Sequence, residues 1–118
     1  MRKLGMLERT VMDILWDRPD GATARELTQA IPQSLAMTTV LTVLDRLRRK
    51  GLVQRASVGR WHRYRAAGSR AQYTADLMLE ALGAEGDSHA VLEHFVQAVS
   101  PDQMDALRRL LQAPEHGS

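Results

Sequence analysis

Residues 38–65 read TTVLTVLDRLRRKGLVQRASVGRWHRYR, and this stretch decides the fold. Its first part predicts a helix over about residues 37–50, because aliphatic side chains recur at i, i+3, i+4 and i+7 from Val40 onward. Gly51 follows three consecutive cations and can adopt the left-handed conformation that ends many helices. The stretch therefore predicts a helix with a buried apolar stripe and an exposed polar face.

Two short strands are predicted next, over Leu52–Ala56 and Arg60–Arg65, with residues 57–59 as the loop between them. Within this hairpin we expect Trp61 to pack inside the wing and Tyr64 to lie in the hydrophobic core. The alternatives are that Trp61 stacks against a sugar-phosphate backbone and that Tyr64 makes a contact. A helix followed by a cationic hairpin is typical of the winged helix-turn-helix, whose helix enters the major groove of DNA.

Two further helices are predicted before this stretch. The first covers residues 6–17, whose apolar side chains recur at helical spacing, and it ends where Pro19 and an Asp-Gly step favour a turn. A capping box of Thr23 and Glu26 opens a short second helix that runs to about Ala30. The order helix, helix, helix, hairpin is that of a winged helix.

The charge is distributed unevenly along the chain. The net charge is only +2, but residues 1–70 contain 14 Lys and Arg against 6 Asp and Glu, whereas residues 71–118 contain 2 against 8. A basic front half suits contact with a polyanion, and an acidic back half does not. An unevenly charged, solvated surface is the alternative explanation.

The exposed face of the third helix and the hairpin carry the residues that we expect to contact DNA. Threonine methyl groups can contact thymine, and arginine can pair with guanine or phosphate. Asp45 can accept from a cytosine amine or orient Arg46 or Arg49 by ion pairing, and the last cations can also stabilise the helix dipole. An ordinary exposed helix surface is the alternative. The predicted contacts are Thr38, Thr39, Leu41, Thr42, Asp45, Arg46, Arg49, Lys50, Arg55, Arg60 and Arg63.

Residues 66–69, AAGS, predict a boundary between a winged-helix DNA-binding domain, residues 1–68, and a helical dimerisation domain, residues 69–118. Three amphipathic helices are predicted in the second domain, and a capping box at residues 100–103 opens the last of them. The predicted fold class is mainly α with a small β-wing: a winged helix-turn-helix domain followed by a short α-helical dimerisation arm.

The apolar stripes of this arm exceed what a helix trio of about 45 residues easily buries alone. Pairing with a second copy would bury the stripes and place two recognition helices about one turn of DNA apart. Packing of the arm against its own winged domain is the alternative. The predicted interface residues are Leu77, Leu92, Phe95, Met104, Leu107, Leu110 and Leu111.

The composition argues against several other classes of function. The chain has no cysteine, which excludes disulfides, thiolate metal sites and cysteine nucleophiles. No segment approaches the ~20 apolar residues of a membrane span, so we expect a cytoplasmic protein without membrane insertion. His89 and His94 do not share a helix face, and no catalytic motif occurs. We therefore expect no metal, no cofactor and no enzymatic activity.

With these elements in place, the chain resembles the penicillinase-repressor family, the BlaI/MecI-type regulators, over almost its whole length. The resemblance is carried by LERTVMDILW (Leu7–Trp16), TTVLTVLDRLRRKGLV (Thr38–Val53), GRWHRYR (Gly59–Arg65) and LEHFVQAVSPDQMDALRRLL (Leu92–Leu111). The last of these is similar to the family's C-terminal dimerisation arm. The resemblance implies a homodimer that represses promoters of β-lactam-resistance or related stress genes through inverted repeats, often of TACA/TGTA type.

The resemblance also implies a means of release from DNA. In the family, a membrane-bound sensor metalloprotease detects a β-lactam and the repressor is cleaved in its arm, in well-known members at an Asn-Phe step. The matching step here is His94-Phe95, so the residue before the bond differs from the family pattern. Some relatives respond to copper through C-terminal cysteines, which this chain lacks.

Two other functions remain open at the level of sequence. A non-specific architectural DNA-binding protein would use the same cations without a preferred operator. A protein-protein interaction module would use the winged fold without binding DNA. Competition against random duplex separates the first from a dedicated regulator, and the absence of salt-dependent DNA binding identifies the second.

Overall fold

The computed structural model describes residues 4–84 and 86–113. The predicted order of three helices, a hairpin and three more helices is confirmed, within a mainly helical fold that has a small β-wing. None of the helices in these two ranges is long and apolar enough to cross a membrane. The elements are α1 (Met6–Trp16), β1 (Ala22–Thr23), α2 (Ala24–Ala30), α3 (Met37–Arg49), β2 (Val53–Val58), β3 (Trp61–Ala66), α4 (Arg70–Gly83), α5 (Ser88–Ala98) and α6 (Pro101–Gln112).

The chain divides into two compact units, the first ending at Met78 and the second beginning at Leu79. The core of the first unit consists mainly of aliphatic side chains from α1, α2, α3 and β2. Tyr64 of β3 and Tyr73 of α4 complete it, and each is only 4% exposed. The prediction that Tyr64 is a core residue is therefore confirmed. Because Tyr73 belongs to the same core, the first unit extends past the predicted boundary at residue 68.

The two predicted capping boxes are confirmed. At the start of α2, Thr23 Oγ1 accepts from the Glu26 N–H at 3.1 Å, and Glu26 Oε1 accepts from the Thr23 N–H at 2.8 Å. Ser100 and Gln103 make the same pair of hydrogen bonds at the start of α6, at 3.1 and 2.9 Å. Each box satisfies two backbone donors that the first helical turn leaves open.

Gly51 ends α3 with a φ of 78°. Its N–H donates to the Arg48 carbonyl, and the Leu52 N–H donates to the Leu47 carbonyl, both at 3.0 Å. This pair of hydrogen bonds is a Schellman motif, which satisfies carbonyl groups that the last helical turn leaves open. The motif turns the chain directly from the third helix into β2.

The wing belongs to a three-stranded antiparallel sheet in the order β1-β3-β2. The sequence does not predict β1, because its two residues are too few to make an alternating pattern. The predicted loop at residues 57–59 is wrong, since β2 continues to Val58, which pairs with Trp61. Only Gly59 and Arg60 form the turn, and Gly59 has a φ of 62°. A positive φ at the first turn position alone is typical of the tight type II′ turn, which replaces the longer predicted loop.

Asp13 of α1 holds the start of α4. Its Oδ1 lies 2.6 Å from Arg70 Nη1 and 3.1 Å from Arg9 Nε. The same two guanidinium groups lie 4.9 and 5.3 Å from the ring centre of Trp16, which is itself 5.4 Å from the ring of Tyr73. Burial raises the pKa of Asp13, but hydrogen bonds from Arg70 and Arg9 outweigh it, so the pKa lies below its usual value. These contacts fix the first turns of α4 on the first helix.

Replacing Gly21 with alanine should destabilise the first unit. Gly21 has a φ of 79°, and an added Cβ would lie 2.4 Å from the Tyr64 carbonyl oxygen and 2.6 Å from Arg65 Cγ. We expect Gly21→Ala to lower the free energy of unfolding by roughly 2 to 4 kcal/mol in urea denaturation, since backbone strain and a clash add.

Gly51→Ala is the matched control. Gly51 has nearly the same φ, but no atom of the described residues lies within 4 Å of its added Cβ. In this control the free energy of unfolding should fall only by the cost of holding an alanine in the left-handed conformation, about 1 to 2 kcal/mol. Equal losses in both variants would show that close approach to β3 is not what requires Gly21.

Candidate nucleic-acid interface

The predicted division of α3 into a buried and an exposed face is confirmed. Its apolar stripe is almost completely covered and consists of Val40, Val43, Leu44 and Leu47. The opposite surface is open to solvent and carries Thr38, Thr39, Leu41, Thr42, Arg46 and Arg49. No side chain of the described residues caps the start of α3 at Ala36, an arrangement that leaves backbone donors for a phosphate oxygen.

The Thr42 hydroxyl is already engaged within the helix. Its Oγ1 donates to the Thr38 carbonyl at 2.9 Å. Threonine commonly bonds back to its own helix in this way, and the hydrogen bond fixes the side-chain rotamer. What Thr42 presents outward is therefore a methyl group and an oxygen lone pair. A methyl group suits contact with the 5-methyl group of thymine.

Asp45 orients two arginines at the end of α3. Its carboxylate lies 2.9 Å from Arg49 Nη2 and 3.7 Å from Arg48 Nη1. Of the two ion pairs that the sequence suggests for Asp45, the one with Arg49 forms, and Arg48 takes part in addition. An aspartate held by two cations is less open to a cytosine amine, so the orienting role is favoured over direct base contact.

A cleft lies between the end of α3 and β2. Its volume is about 560 Å³, and it is lined by Asp45, Arg48, Arg49, Val53, Gln54 and Arg55. Three guanidinium groups around one carboxylate leave an excess of positive charge, which suits a phosphate group. The sequence suggests Arg48 only as one of the last cations of α3, open to phosphate contact or dipole stabilisation, and it does not suggest Gln54. The spacing of three residues between Asp45 and Arg48 is the signal that could have identified their ion pair.

Lys50, predicted to contact DNA, lies in a structural ion pair. Its Nζ is 2.9 Å from Glu8 Oε1, which also accepts from the Gly5 N–H at 2.9 Å. Glu8 is only 8% exposed. Burial raises its pKa, but the hydrogen bonds from Gly5 and Lys50 and the nearby charge of Arg46 outweigh it, so the pKa lies below its usual value. The ion pair joins the end of α3 to the start of α1.

The three predicted arginines of the hairpin lie in different settings. Arg60 is exposed in the turn, and Arg55 is exposed beside the cleft. Arg63 is drawn away from the wing tip, because its Nη1 donates to the Gly21 carbonyl at 3.1 Å and lies 3.7 Å from Glu26 Oε1. The hydrogen bond from Thr23 and the charge of Arg63 lower the pKa of Glu26. The geometry thus groups Arg55 with the end of α3, while Arg60 lies exposed in the turn and Arg63 is held beside Gly21.

The expected packing of Trp61 inside the wing is wrong, since this side chain is 63% exposed. Trp61 lies beside the turn, three residues before Tyr64 in β3. Because side chains alternate between the faces of a strand, Trp61 and the buried Tyr64 point to opposite faces. Trp61 therefore lies on the face of β3 that does not carry the core residue Tyr64.

The predicted interface residues of the arm fall into three groups. Leu77 belongs to the first unit and packs against its core. Met104 and Leu107 are half-buried. The others are exposed, between 39% and 80% of their surface, and are Leu92, Phe95, Leu110 and Leu111. His94 is also exposed, and the His94-Phe95 step lies inside α5.

Comparison with known sequences identifies a family and a close relative. The family described as penicillinase repressor matches residues 4–113. The transcriptional regulator BlaI of Mycobacterium tuberculosis, from strains CDC 1551 / Oshkosh and ATCC 25618 / H37Rv alike, is 44% identical over 122 residues. The match covers 99% of this chain and 88% of the relative.

Comparison with solved structures confirms the winged-helix fold. A MarR family protein from Bacillus stearothermophilus is 20% identical with a TM-score of 0.51. FabT of Streptococcus pneumoniae, solved in complex with DNA, is 17% identical with a TM-score of 0.51. Each match covers 92% of this chain and 71% of the other. At such low identity these likenesses concern the fold alone.

Replacing Glu8 with glutamine should change how stability depends on pH. Because folding lowers the pKa of Glu8, its contribution is complete above the unfolded pKa of about 4.3 and is lost as the pH falls through the folded pKa. At neutral pH we expect Glu8→Gln to lower the free energy of unfolding by roughly 1 to 3 kcal/mol. The difference from the wild type should shrink below about pH 4.

The control is Glu93→Gln, the same chemical change at an exposed carboxylate of α5. It should stay within about 0.5 kcal/mol of the wild type. Urea denaturation at a series of pH values measures both variants. A loss in Glu8→Gln that did not vary with pH would exclude the ion pair with Lys50 as its cause.

Proposed function

The chain belongs to the penicillinase repressor family of transcriptional regulators, which are not enzymes, and we propose that it is a homodimeric repressor that binds inverted-repeat DNA operators. Its proposed targets are promoters of β-lactam-resistance or related stress genes. The observation that carries the proposal is the exposed polar face of α3, which lies opposite a buried stripe and ends at an arginine-lined cleft.

We propose that the DNA contacts are of two kinds: base contacts that determine sequence preference and phosphate contacts that position the protein. Thr38, Thr39 and Thr42 near the start of α3 would face base edges in the major groove. The cleft beside Arg49 and Arg55 would hold a phosphate, which fixes the register of the protein on the duplex. A solved structure with the same fold, FabT, is a complex with DNA, and this supports the proposed partner.

Dimerisation is proposed to occur through the arm. Among the described residues, neither α5 nor α6 has a buried side chain, yet both carry several large apolar ones. Leu110 and Leu111 are 60% and 80% exposed, and covering them in a second copy would recover hydrophobic free energy. A twofold-symmetric pair would present two copies of α3 to the two halves of an inverted repeat.

We propose that the repressor is released from DNA after a membrane-bound sensor metalloprotease cleaves the His94-Phe95 bond. Both side chains are exposed, which favours access. The step lies within α5, however, and a protease needs the backbone to open locally from the helix. Cleavage there would separate the end of α5 and all of α6 from the rest of the chain, and with them five of the seven proposed interface residues.

Thr42→Ala and Thr42→Val together test base reading by α3. If the methyl group contacts thymine, Thr42→Val should keep the preference for a TACA/TGTA inverted repeat over a scrambled duplex. Thr42→Ala should lose roughly tenfold of that preference, because one base contact contributes about 1 to 3 kcal/mol. Equal losses in the two variants would assign the effect to the hydroxyl instead. Fluorescence anisotropy with both duplexes measures the ratio.

Arg60→Ala tests whether the wing contributes phosphate contacts and not base contacts. Because Arg60 is exposed in the turn, its loss should weaken binding similarly on both duplexes and reduce the salt slope by about one. If Thr42→Ala and Arg60→Ala both lose affinity equally on every sequence, α3 does not read bases. Repeating the anisotropy measurement over a range of salt concentrations gives the slope.

The double variant Leu107→Asp/Leu110→Asp should be a monomer in sedimentation equilibrium, because two carboxylates would be buried in the proposed interface. Its operator affinity should also fall, because a monomer brings only one recognition helix to the inverted repeat. Gln97→Asp adds a carboxylate at an exposed polar position of α5 and should stay dimeric. A double variant that sediments as a dimer would exclude α6 as the main interface.

A further inference from the structure

The wing tip carries an exposed apolar pair. Trp61 and Val58 are direct cross-strand partners next to the turn, and they are 63% and 56% exposed. Directly opposite side chains on one face of an antiparallel pair lie close enough to pack together. The indole and the valine therefore form one apolar surface at the end of the hairpin.

The opposite face of the tip is polar. Ser57 and His62 are the next cross-strand pair, and Ser57 Oγ lies 3.3 Å from His62 Nδ1. Successive pairs point to opposite faces of a sheet, so Trp61 and Val58 share one face while Ser57 and His62 share the other. The tip thus has one polar and one apolar face, and the apolar face exposes a large hydrophobic surface to solvent.

The surrounding charge indicates what covers this surface. β2, the turn and β3 together contain four arginines and no Asp or Glu. Arg60, in the turn, lies directly beside Trp61 and is exposed. An apolar surface within an unbroken cationic stretch suits a partner that combines dense negative charge with apolar faces. The sugar-phosphate edge of a DNA duplex has both.

We propose that Trp61, with Val58, stacks on deoxyribose at the minor-groove edge of the duplex that α3 binds. Proteins that bind the minor groove frequently bring apolar side chains into it. The contact is apolar, so it adds affinity that salt does not screen, whereas Arg60 beside it adds affinity that salt does screen. This inference rests on the proposed DNA-binding function and extends it by naming the residues of the wing.

Tryptophan fluorescence tests the contact directly. The chain has two tryptophans, and Trp16 is held in the first unit by contacts with Arg9, Arg70 and Tyr73. Titration with the TACA/TGTA duplex should therefore change the emission of Trp61, and Trp61→Phe should abolish that change. Trp61→Ala should weaken binding about tenfold on specific and random duplexes with an unchanged salt slope, while Trp61→Phe stays within about threefold of the wild type.

Met6→Ala is the matched control, because Met6 is an apolar side chain that is 90% exposed on α1. It should bind as the wild type does, and circular dichroism checks that every variant folds. Wild-type affinity in Trp61→Ala would overturn the inference and leave the proposed function intact. Failure of the wild type to bind either duplex would overturn both. A change in Trp61 emission on phosphatidylserine vesicles but not on DNA would assign the tip to a lipid surface and overturn the inference.

Discussion

The burial of one apolar stripe on α3 is the constraint on which the rest of the molecule depends. Val40, Leu44 and Leu47 are covered by the first unit's core, so the orientation of the helix about its own axis is fixed. Fixing that orientation leaves the threonines and Arg46 outside. The Schellman motif at Gly51 then sends the chain back as β2, which brings the hairpin alongside the same exposed face. Core packing and the proposed DNA contact thus use opposite faces of one helix.

The cations of the first unit divide between holding the fold and facing outward. Lys50 and Arg63 bind Glu8 and the turn before β1, and Arg70 binds Asp13, so their charges are largely neutralised within the protein. Exposed arginines of α3, the cleft and the wing turn remain for a polyanion. A count of Lys and Arg in the sequence does not separate the paired cations from the exposed ones. The ion pairs therefore leave fewer free cations for the proposed DNA contact than the net charge of the front half suggests.

Local pattern was sufficient for the helices, both capping boxes and the two faces of α3, because each depends on residues within a few positions of one another. The ion pair of Lys50 with Glu8 spans 42 residues, and that of Arg70 with Asp13 spans 57, so no local pattern indicates either. The same holds for β1, whose two residues are ordered by Tyr64 and Arg63 across the sheet. Trp61 was misplaced for a related reason: its residue type favours burial, but its position beside a two-residue turn puts it beyond the core.

Within the part of the chain that the structure describes, neither α5 nor α6 has a buried side chain, so neither helix is held by a core of its own. Helices of 11 and 12 residues are marginal in water unless another surface covers them. Under the proposed dimerisation, the order of the arm therefore rises and falls with the concentration of the protein. A cell with few copies would hold more unpaired chains, whose opened arms are also easier to degrade. A low concentration of repressor would therefore be lowered further by degradation of the unpaired chains. The operator would then change from occupied to free over a narrow range of repressor concentration.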